Sequence, residues 1–240
     1  MHTPHIGTAG WSISSAASHH FPSEGSHLQR YGSLLNSVEI NSSFYRPHQP
    51  ATYARWADSV PDTFRFSVKL PRRITHELRL RDCWQELDRF MGEVMQLKDK
   101  LGCLLVQLPP SLRFDDGVAA QFFQQLRLRS ACMLACEARH PSWFDEAATT
   151  LLQKHAITRV RADPPAGQPG PHIPTTDLAY LRLHGSPRIY YSDYSATFLD
   201  ALAAELQEHA APGSWCIFDN TAAGAALFNA LDLVDKIGFR

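Results

Sequence analysis

Short runs in which apolar and polar residues alternate are separated along this chain by longer stretches with helical spacing. The runs are His5 to Gly10, Ser37 to Asn41, Phe64 to Lys69, Cys103 to Leu108, Met133 to Glu137, Arg159 to Asp163, Tyr180 to His184 and Trp215 to Asp219. Their period and length predict eight strands. Helical spacing is clearest from Trp84 to Lys100, where Leu87, Phe90, Met91, Val94, Met95, Leu97 and Leu101 form one apolar stripe. Further helices are expected over Val118 to Leu128, Ser142 to His155, Ser195 to His209 and Ala222 to Lys236. Strand then helix, repeated to the end, predicts an α/β fold with a parallel sheet. Eight units in 240 residues favour a single (β/α)8 barrel of TIM type, one domain spanning 1–240, over an open doubly wound sheet, because no G-x-G-x-x-G follows the first strand. The Pro/Gly-rich run Pro164 to Pro171 stands in place of the helix after the sixth strand and reads as a long loop over the barrel mouth.

Alternation also assigns faces. Val38 and Ile40 suit the helix-covered side, which sends Glu39 and Asn41 inward. The same logic sends inward Arg65, Ser67 and Lys69, then Gln107, then Arg161 and Asp163, then Arg182 and His184, while Glu137 and Arg139 share one face of the fifth strand. Many of these residues lie at the C-terminal ends of strands, where barrel enzymes build their sites. Interior charges cost on the order of several kcal/mol each unless paired, so a salt-bridge network that only fills space is the competing reading. Arg65 and Arg161, lower in their strands, fit that reading; the upper layer is read as a ligand pocket. The following loops add Tyr45, Arg46, His140, Trp143 and Gly185. Phe44 and Phe144 are expected to pack, whereas Tyr45 and Trp143 stay open between packing and ligand contact.

Composition narrows this picture. Lys plus Arg number 23 against 24 Asp plus Glu, which excludes a globally basic coat for nucleic acid and leaves any cationic site local. Hydrophobic residues at 44% suffice for a core, and no run approaches the ~18 to 20 apolar residues of a membrane helix. Met1 to His5 shows neither a basic start nor an apolar signal run, so a cytoplasmic location is expected. Five cysteines without a C-x-x-C pair read as reduced, mostly buried thiols.

Six motifs in order carry a resemblance: Gly7-Thr8-Ala9-Gly10-Trp11, Val38 to Arg46, Lys69 to His76, Leu104 to Ser111, Glu137 to Phe144 and Tyr180 to Gly185. Over nearly its whole length the chain resembles the family called domain of unknown function 72, also described as YecE-like. The resemblance implies a TIM-type barrel in a bacterial cytoplasmic protein and supplies no reaction. Two departures stand out. Ser12 to Ser18 is small and polar where the family continues with tyrosine and a second tryptophan, and Asp219-Asn220 stands where paired asparagines are common.

Three chemistries and one non-catalytic role compete. Glycoside cleavage needs two carboxyl groups roughly 5 to 10 Å apart, for which Glu39, Glu137, Asp163 and Asp219 are candidates. Arg139 and Arg182 would depress a carboxyl pKa there, the opposite of what a general acid requires. A metal-dependent phosphoesterase would use Glu39, Glu137, Asp163, His140 and His184, but no H-x-H or H-E-x-x-H supports it. Guanidinium forks with several imidazoles suit a phosphate or carboxylate better than a neutral sugar. The leading expectation is therefore binding, extended to hydrolysis as a hypothesis, of a phosphorylated or nucleotide-like anion, single-stranded nucleic acid included. Glu39 or Glu137 would act as base and His140 or His184 as acid. Ligand contacts are expected from Trp11, Asn41, Tyr45, Arg46, Lys69, His76, Gln107, Arg139, Trp143, Asp163, Arg182 and Asn220, with no metal, cofactor, membrane or protein partner. The different-class alternative is a barrel mouth that captures a metabolite or a nucleic-acid strand without chemistry, with the cluster Tyr190, Tyr191 and Tyr194 stacking on it.

Overall fold

The computed structural model describes residues 4–238; residues 1–3, where no targeting segment is expected, lie outside it. Parallel strands with helices packed on one face make up the architecture. In chain order the elements are β1 His5–Thr8, α1 His27–Gly32, β2 Ser37–Ile40, α2 Ser42–Tyr45, α3 Pro50–Asp58, β3 Arg65–Lys69, α4 Trp84–Val94, β4 Leu101–Gln107, α5 Asp116–Arg129, β5 Met133–Glu137, α6 Glu146–Lys154, β6 Ile157–Arg159, β7 Arg161–Asp163, β8 Tyr180–Leu183, α7 Ala196–His209, β9 Trp215–Phe218 and α8 Ala225–Ile237. Every strand pairing is parallel, in two sheets ordered β1-β9-β8-β7 and β2-β3-β4-β5-β6. The sheets meet where Ala9 bridges Glu39 and Gly10 N–H donates to the Glu39 carbonyl at 2.9 Å. They meet again at Val160, between β6 and β7, whose N–H donates to the Cys136 carbonyl at 2.9 Å.

Local sequence explains most boundaries. Asp115, Asp145 and Ser195 each accept a backbone N–H in the first turn, which starts α5, α6 and α7. The Asp145 cap is why α6 begins later than expected, with Pro141–Trp143 forming a separate 3-10 turn. The stripe from Trp84 to Lys100 is not one helix: α4 ends at Val94, and a 3-10 segment follows in which Lys98 turns to φ 53°. Lys100 then donates to the carbonyls of Ala57 and Val60, at 2.8 and 2.7 Å. Gly224, in the left-handed region at φ 83°, delays α8 to Ala225. Helix α3, which no periodicity singled out, starts on Pro50 in its first turn.

Alternation sorts the strands onto two apolar layers. Val38, Ile40, Val68, Leu104, Val106, Leu134, Leu181 and Leu183 join the large core under the helices. On the opposite face Cys103, Leu105, Ala135, Val160, Tyr180, Trp215 and Ile217 form a small second cluster. Trp215 stacks on Tyr180 at 5.8 Å and needs Gly102 beside it, because a Cβ there would come within 2.6 Å of its ring.

The sixth strand corrects the expected facing. It begins at Ile157 rather than Arg159 and is interrupted at Val160, whose side chain joins the second cluster. Arg161 therefore turns towards the helices and pairs with Glu205 of α7 at 2.5 and 2.9 Å. Period-two reasoning assumed an uninterrupted strand, and one irregular residue reverses its phase.

Candidate functional site

Arg182 stands in β8, fully buried, and its guanidinium gathers three carboxylates, from β2, from β5 and from the residue that follows β9. Nε and Nη2 donate to the two oxygens of Glu39 at 2.9 and 2.7 Å, Nη1 donates to Glu137, and Nη2 also reaches Asp219 at 2.9 Å. Four of the five guanidinium hydrogens are thereby engaged inside the protein. Two residues back on the same face, Tyr180 donates its hydroxyl hydrogen to Glu39 at 2.9 Å and lies 2.7 Å from Ser67 Oγ. Glu137 receives a second cation, Arg139, whose Nε and Nη2 lie 2.7 and 2.6 Å from Oε1.

His184 continues the network. Its Nδ1 lies 3.0 Å from Asp219 Oδ2, while Nε2 is 3.6 Å from Glu137 and has no hydrogen-bond partner despite its burial. Burial opposes the imidazolium, yet Asp219 and Glu137 outweigh it and the pKa lies above the ordinary value. Burial likewise opposes ionisation of Glu137 and Asp219, and Arg182 followed by His184 overcomes it, holding Glu137 well below and Asp219 below the usual carboxylate range. Arg139 is shifted upward: burial disfavours its charge, and Glu137 more than compensates.

Lys69, the last residue of β3, sits differently. Only 8% of it is exposed, its Nζ lies 4.3 Å from the centre of the Phe44 ring, and among the described residues it makes no ion pair within 4.0 Å. Burial, reinforced by Arg182, lowers its pKa to about 8 against the pull of Glu39, Glu137 and Asp219. Ser43 of α2 anchors this corner: its hydroxyl lies 2.6 Å from the Lys69 carbonyl and 3.0 Å from that of Ile40, with one hydrogen to give to either. His76 packs edge-on against the same Phe44 ring at 4.9 Å, and burial with the nearby cations Lys69, Arg72 and Arg139 lowers it to about 4.

The other expected site residues disperse. Asn41 follows β2 with its Oδ1 buried and without a partner, and Gln107 is buried with Nε2 3.4 Å from the Leu108 carbonyl. His140 caps the Pro141–Trp143 turn, its Nδ1 accepting from Ser142 N–H at 3.1 Å. Asn220 donates to the Ser192 carbonyl and to Asn229, both at 2.9 Å. Asp163 accepts from the Tyr194 hydroxyl at 2.9 Å and lines, with Arg161 and His172, a cavity of about 440 Å³ under the Pro/Gly loop, apart from the Arg182 network. Trp143 is core: it is 1% exposed, its indole donates to the Leu112 carbonyl at 2.9 Å and its ring packs on Phe114 and Phe123, lining a cavity separate from the Arg182 network. Trp11 stands edge-on to Trp56 at 5.0 Å. Tyr45, 79% exposed, and Arg46 line a cavity of about 210 Å³ with Arg72 and Arg73, on the outer side of Phe44.

Two corrections follow. Arg182, expected to grip an anion, has no exposed surface and spends its hydrogens on protein carboxylates. Glu39, expected as a base, accepts from Arg182 through both oxygens and from Tyr180, so neither oxygen is free to take a proton from a ligand. Tyr180, which period two places on the face of Arg182, is a member of the network not among the expected site residues, whereas Phe44, expected to pack, does so against His76 and beneath Lys69. Among the described residues no three His, Cys, Asp or Glu side chains form a metal-holding group, and no helix is long and apolar enough to cross a membrane.

The family described as "Protein of unknown function DUF72" matches residues 5–240. The UPF0759 protein YecE of Escherichia coli K12 is 30% identical over 141 residues, 57% of this chain and 52% of that protein, so the match spans about half the length of this curated relative. Among solved structures, a DUF72 family protein from Thermotoga maritima MSB8 is similar with a TM-score of 0.80 at 28% identity, covering 98% of each chain. One from Enterococcus faecalis V583 has a TM-score of 0.82 at 20% identity, covering 99% of this chain and 96% of that one.

Proposed function

The chain belongs to the DUF72 family, and from its geometry we propose that it binds a small anionic, phosphate- or carboxylate-bearing ligand at the C-terminal ends of its strands, through Lys69 with Arg139 and His76. The reading takes the two sheets as one closed (β/α)8 barrel. Its supports are the Ala9–Glu39 bridge, the continuity of β6 into β7 through Val160, and the reach of Arg182 and Tyr180 from one sheet to Glu39 and Glu137 in the other. A cytoplasmic setting goes with this reading.

The observation that carries it is the contrast in pairing. Three carboxylates are taken up by Arg182, Arg139 and His184, whereas the largely buried ammonium of Lys69 has no carboxylate in ion-pair range. Glu39, Glu137 and Asp219 act on it only from beyond that range and do not offset its burial; a desolvated, under-compensated cation is unfavourable, and an anion arriving beside it relieves that cost. Arg139, 22% exposed in its side chain, is the accessible one of the two guanidiniums on Glu137. Hydrolysis is a further step of the proposal, with His184 as the acid because its imidazolium is favoured and its Nε2 is unpartnered. A glycosidase acid is disfavoured, since Glu137 and Asp219 are held ionised.

Thermal unfolding in the presence of inorganic phosphate, nucleotides, sugar phosphates, neutral sugars and divalent metal salts tests the assignment. A ligand at about 100 times its Kd stabilises by about 2.7 kcal/mol. A rise in Tm with the anions that is absent in Lys69→Met supports the reading; a rise with neutral sugars alone sinks it.

A further inference from the structure

Lysine is rare here. The sequence holds five, at 69, 98, 100, 154 and 236, among 23 basic residues. Wherever the interior pairs a carboxylate strongly it uses arginine, with Arg182 and Arg139 holding Glu39, Glu137 and Asp219. Lys69 is a buried ammonium without such a partner, whereas Lys98 and Lys154, which also make no ion pair within 4.0 Å among the described residues, are exposed. Arginine stays charged under all ordinary conditions, whereas lysine can shed its proton and become a nucleophile when it is desolvated and set near another cation.

Both conditions are met at the end of β3. The side chain lies in the protein against the Phe44 ring, and the Arg182 cation acts on it. Its Nζ has no hydrogen bond or ion pair within range among the described residues, so the nitrogen is not committed to a structural contact.

We propose that Lys69 is an amine nucleophile that forms a Schiff base with the carbonyl group of an anionic aldehyde or ketone bound at the strand ends. This names the substrate class within the reading of the preceding subsection and rests on it. The neutral Nζ donates its lone pair to the carbonyl carbon, a C–N bond forms, and the carbonyl π electrons move to oxygen, which takes up a proton to give a carbinolamine. That oxygen then accepts a second proton and departs as water as the C=N bond forms, and the nitrogen gives up its two hydrogens over the sequence. Amine and carbonyl thus yield imine and water with no oxidant or reductant. The imidazolium of His184, hydrogen-bonded to the Asp219 that also acts on Lys69, is a proton source for the leaving oxygen.

Burial and Arg182 bring Lys69 to about 8 while Glu39, Glu137 and Asp219 pull the other way. Lys69 in turn acts, with Arg72 and Arg139, on the neutral His76 against the same Phe44 ring. At pH 7.5 an amine titrating near 8 is neutral roughly two orders of magnitude more often than an ordinary lysine.

Reductive trapping tests the assignment. The protein is incubated at pH 7.5 with pyridoxal 5′-phosphate or its phosphate-free analogue pyridoxal, reduced with borohydride, and mapped by peptide mass spectrometry, with the other four lysines as internal controls. The expected result is a reduced adduct at Lys69 formed at least tenfold faster than at any other lysine, suppressed by inorganic phosphate and absent in Lys69→Arg. Labelling spread evenly over the five lysines, or absent from Lys69, overturns the proposal, and mapping of the wild-type chain decides this even where the variant fails to fold. If phosphate raises Tm while no adduct forms at Lys69, the Schiff base falls and the anion site stands. If both aldehydes label Lys69 equally and phosphate neither competes nor stabilises, imine chemistry stands and the anion reading falls.

Discussion

Arg182 and Lys69 are both cations carried inward by the strands, yet their surroundings are opposite. Around Arg182 the network is nearly closed: three carboxylates, Tyr180 and His184 pair with one another, and only one guanidinium hydrogen and His184 Nε2 are left over. Around Lys69 the ammonium meets an aromatic face and a neutral imidazole, with no carboxylate in range. The difference teaches that charge content alone does not mark a binding site. A saturated network holds strands together, and the place where pairing stops short is where a ligand has something to add.

Substitution of Arg182 tests this distinction most severely. Arg182→Met leaves Glu39, Glu137 and Asp219 buried without their shared partner, and a loss of about 3–5 kcal/mol is expected in urea unfolding. Lys69→Met removes a buried charge whose burial outweighs the pull of the carboxylates, and is expected to leave stability unchanged or raised by up to about 1 kcal/mol. If the two variants unfold alike, the contrast is wrong. Tyr180→Phe comes next: it deletes the hydroxyl between Glu39 and Ser67 and should cost about 1–2 kcal/mol, read from the same denaturation curves.

Stability against pH separates the two regions by sign. Glu137 and Asp219 have depressed pKa values, so their contribution is complete above the unfolded carboxyl values near ~4 and is lost as pH falls towards the folded ones. His184 is raised, so its contribution is complete below about 6.5 and disappears as pH rises through its folded pKa. Lys69 runs the other way. Its folded pKa of about 8 lies below the unfolded value, and stability should climb between about 8 and 10.5 as the unfolded chain holds the extra proton. Chemical denaturation across this range should show the climb in wild type and not in Lys69→Met, while His184→Gln removes the decline above about 6.5. The smallest effect is expected at Tyr45, whose ring is largely in solvent: Tyr45→Ala should shift stability by no more than about 0.5 kcal/mol.

Much of this was legible along the chain. Alternation in Ser37 to Asn41, Phe64 to Lys69 and Tyr180 to His184 placed Glu39, Ser67, Lys69 and Arg182 on the interior face, and the parallel α/β order followed from strand and helix periods. The sixth strand was misread because the irregularity at Val160 leaves no mark in composition, and Arg161 was turned the wrong way. Trp143 looked like a ligand contact because it follows a charged strand end, and what fills its surroundings, Leu112, Phe114 and Phe123, comes from distant positions.

Face and layer are properties of a single strand, set by a two-residue repeat that any local run displays. Pairing is not. Whether a buried guanidinium meets a ligand or three carboxylates depends on residues 37 to 143 positions away, brought together by strand order, and no local pattern encodes those distances. Sequence alone thus marked both Arg182 and Lys69 as interior cations. Folding is what saturated Arg182, through the convergence of Glu39, Glu137 and Asp219, and left Lys69 against Phe44 with those carboxylates acting on it only from beyond 4.0 Å.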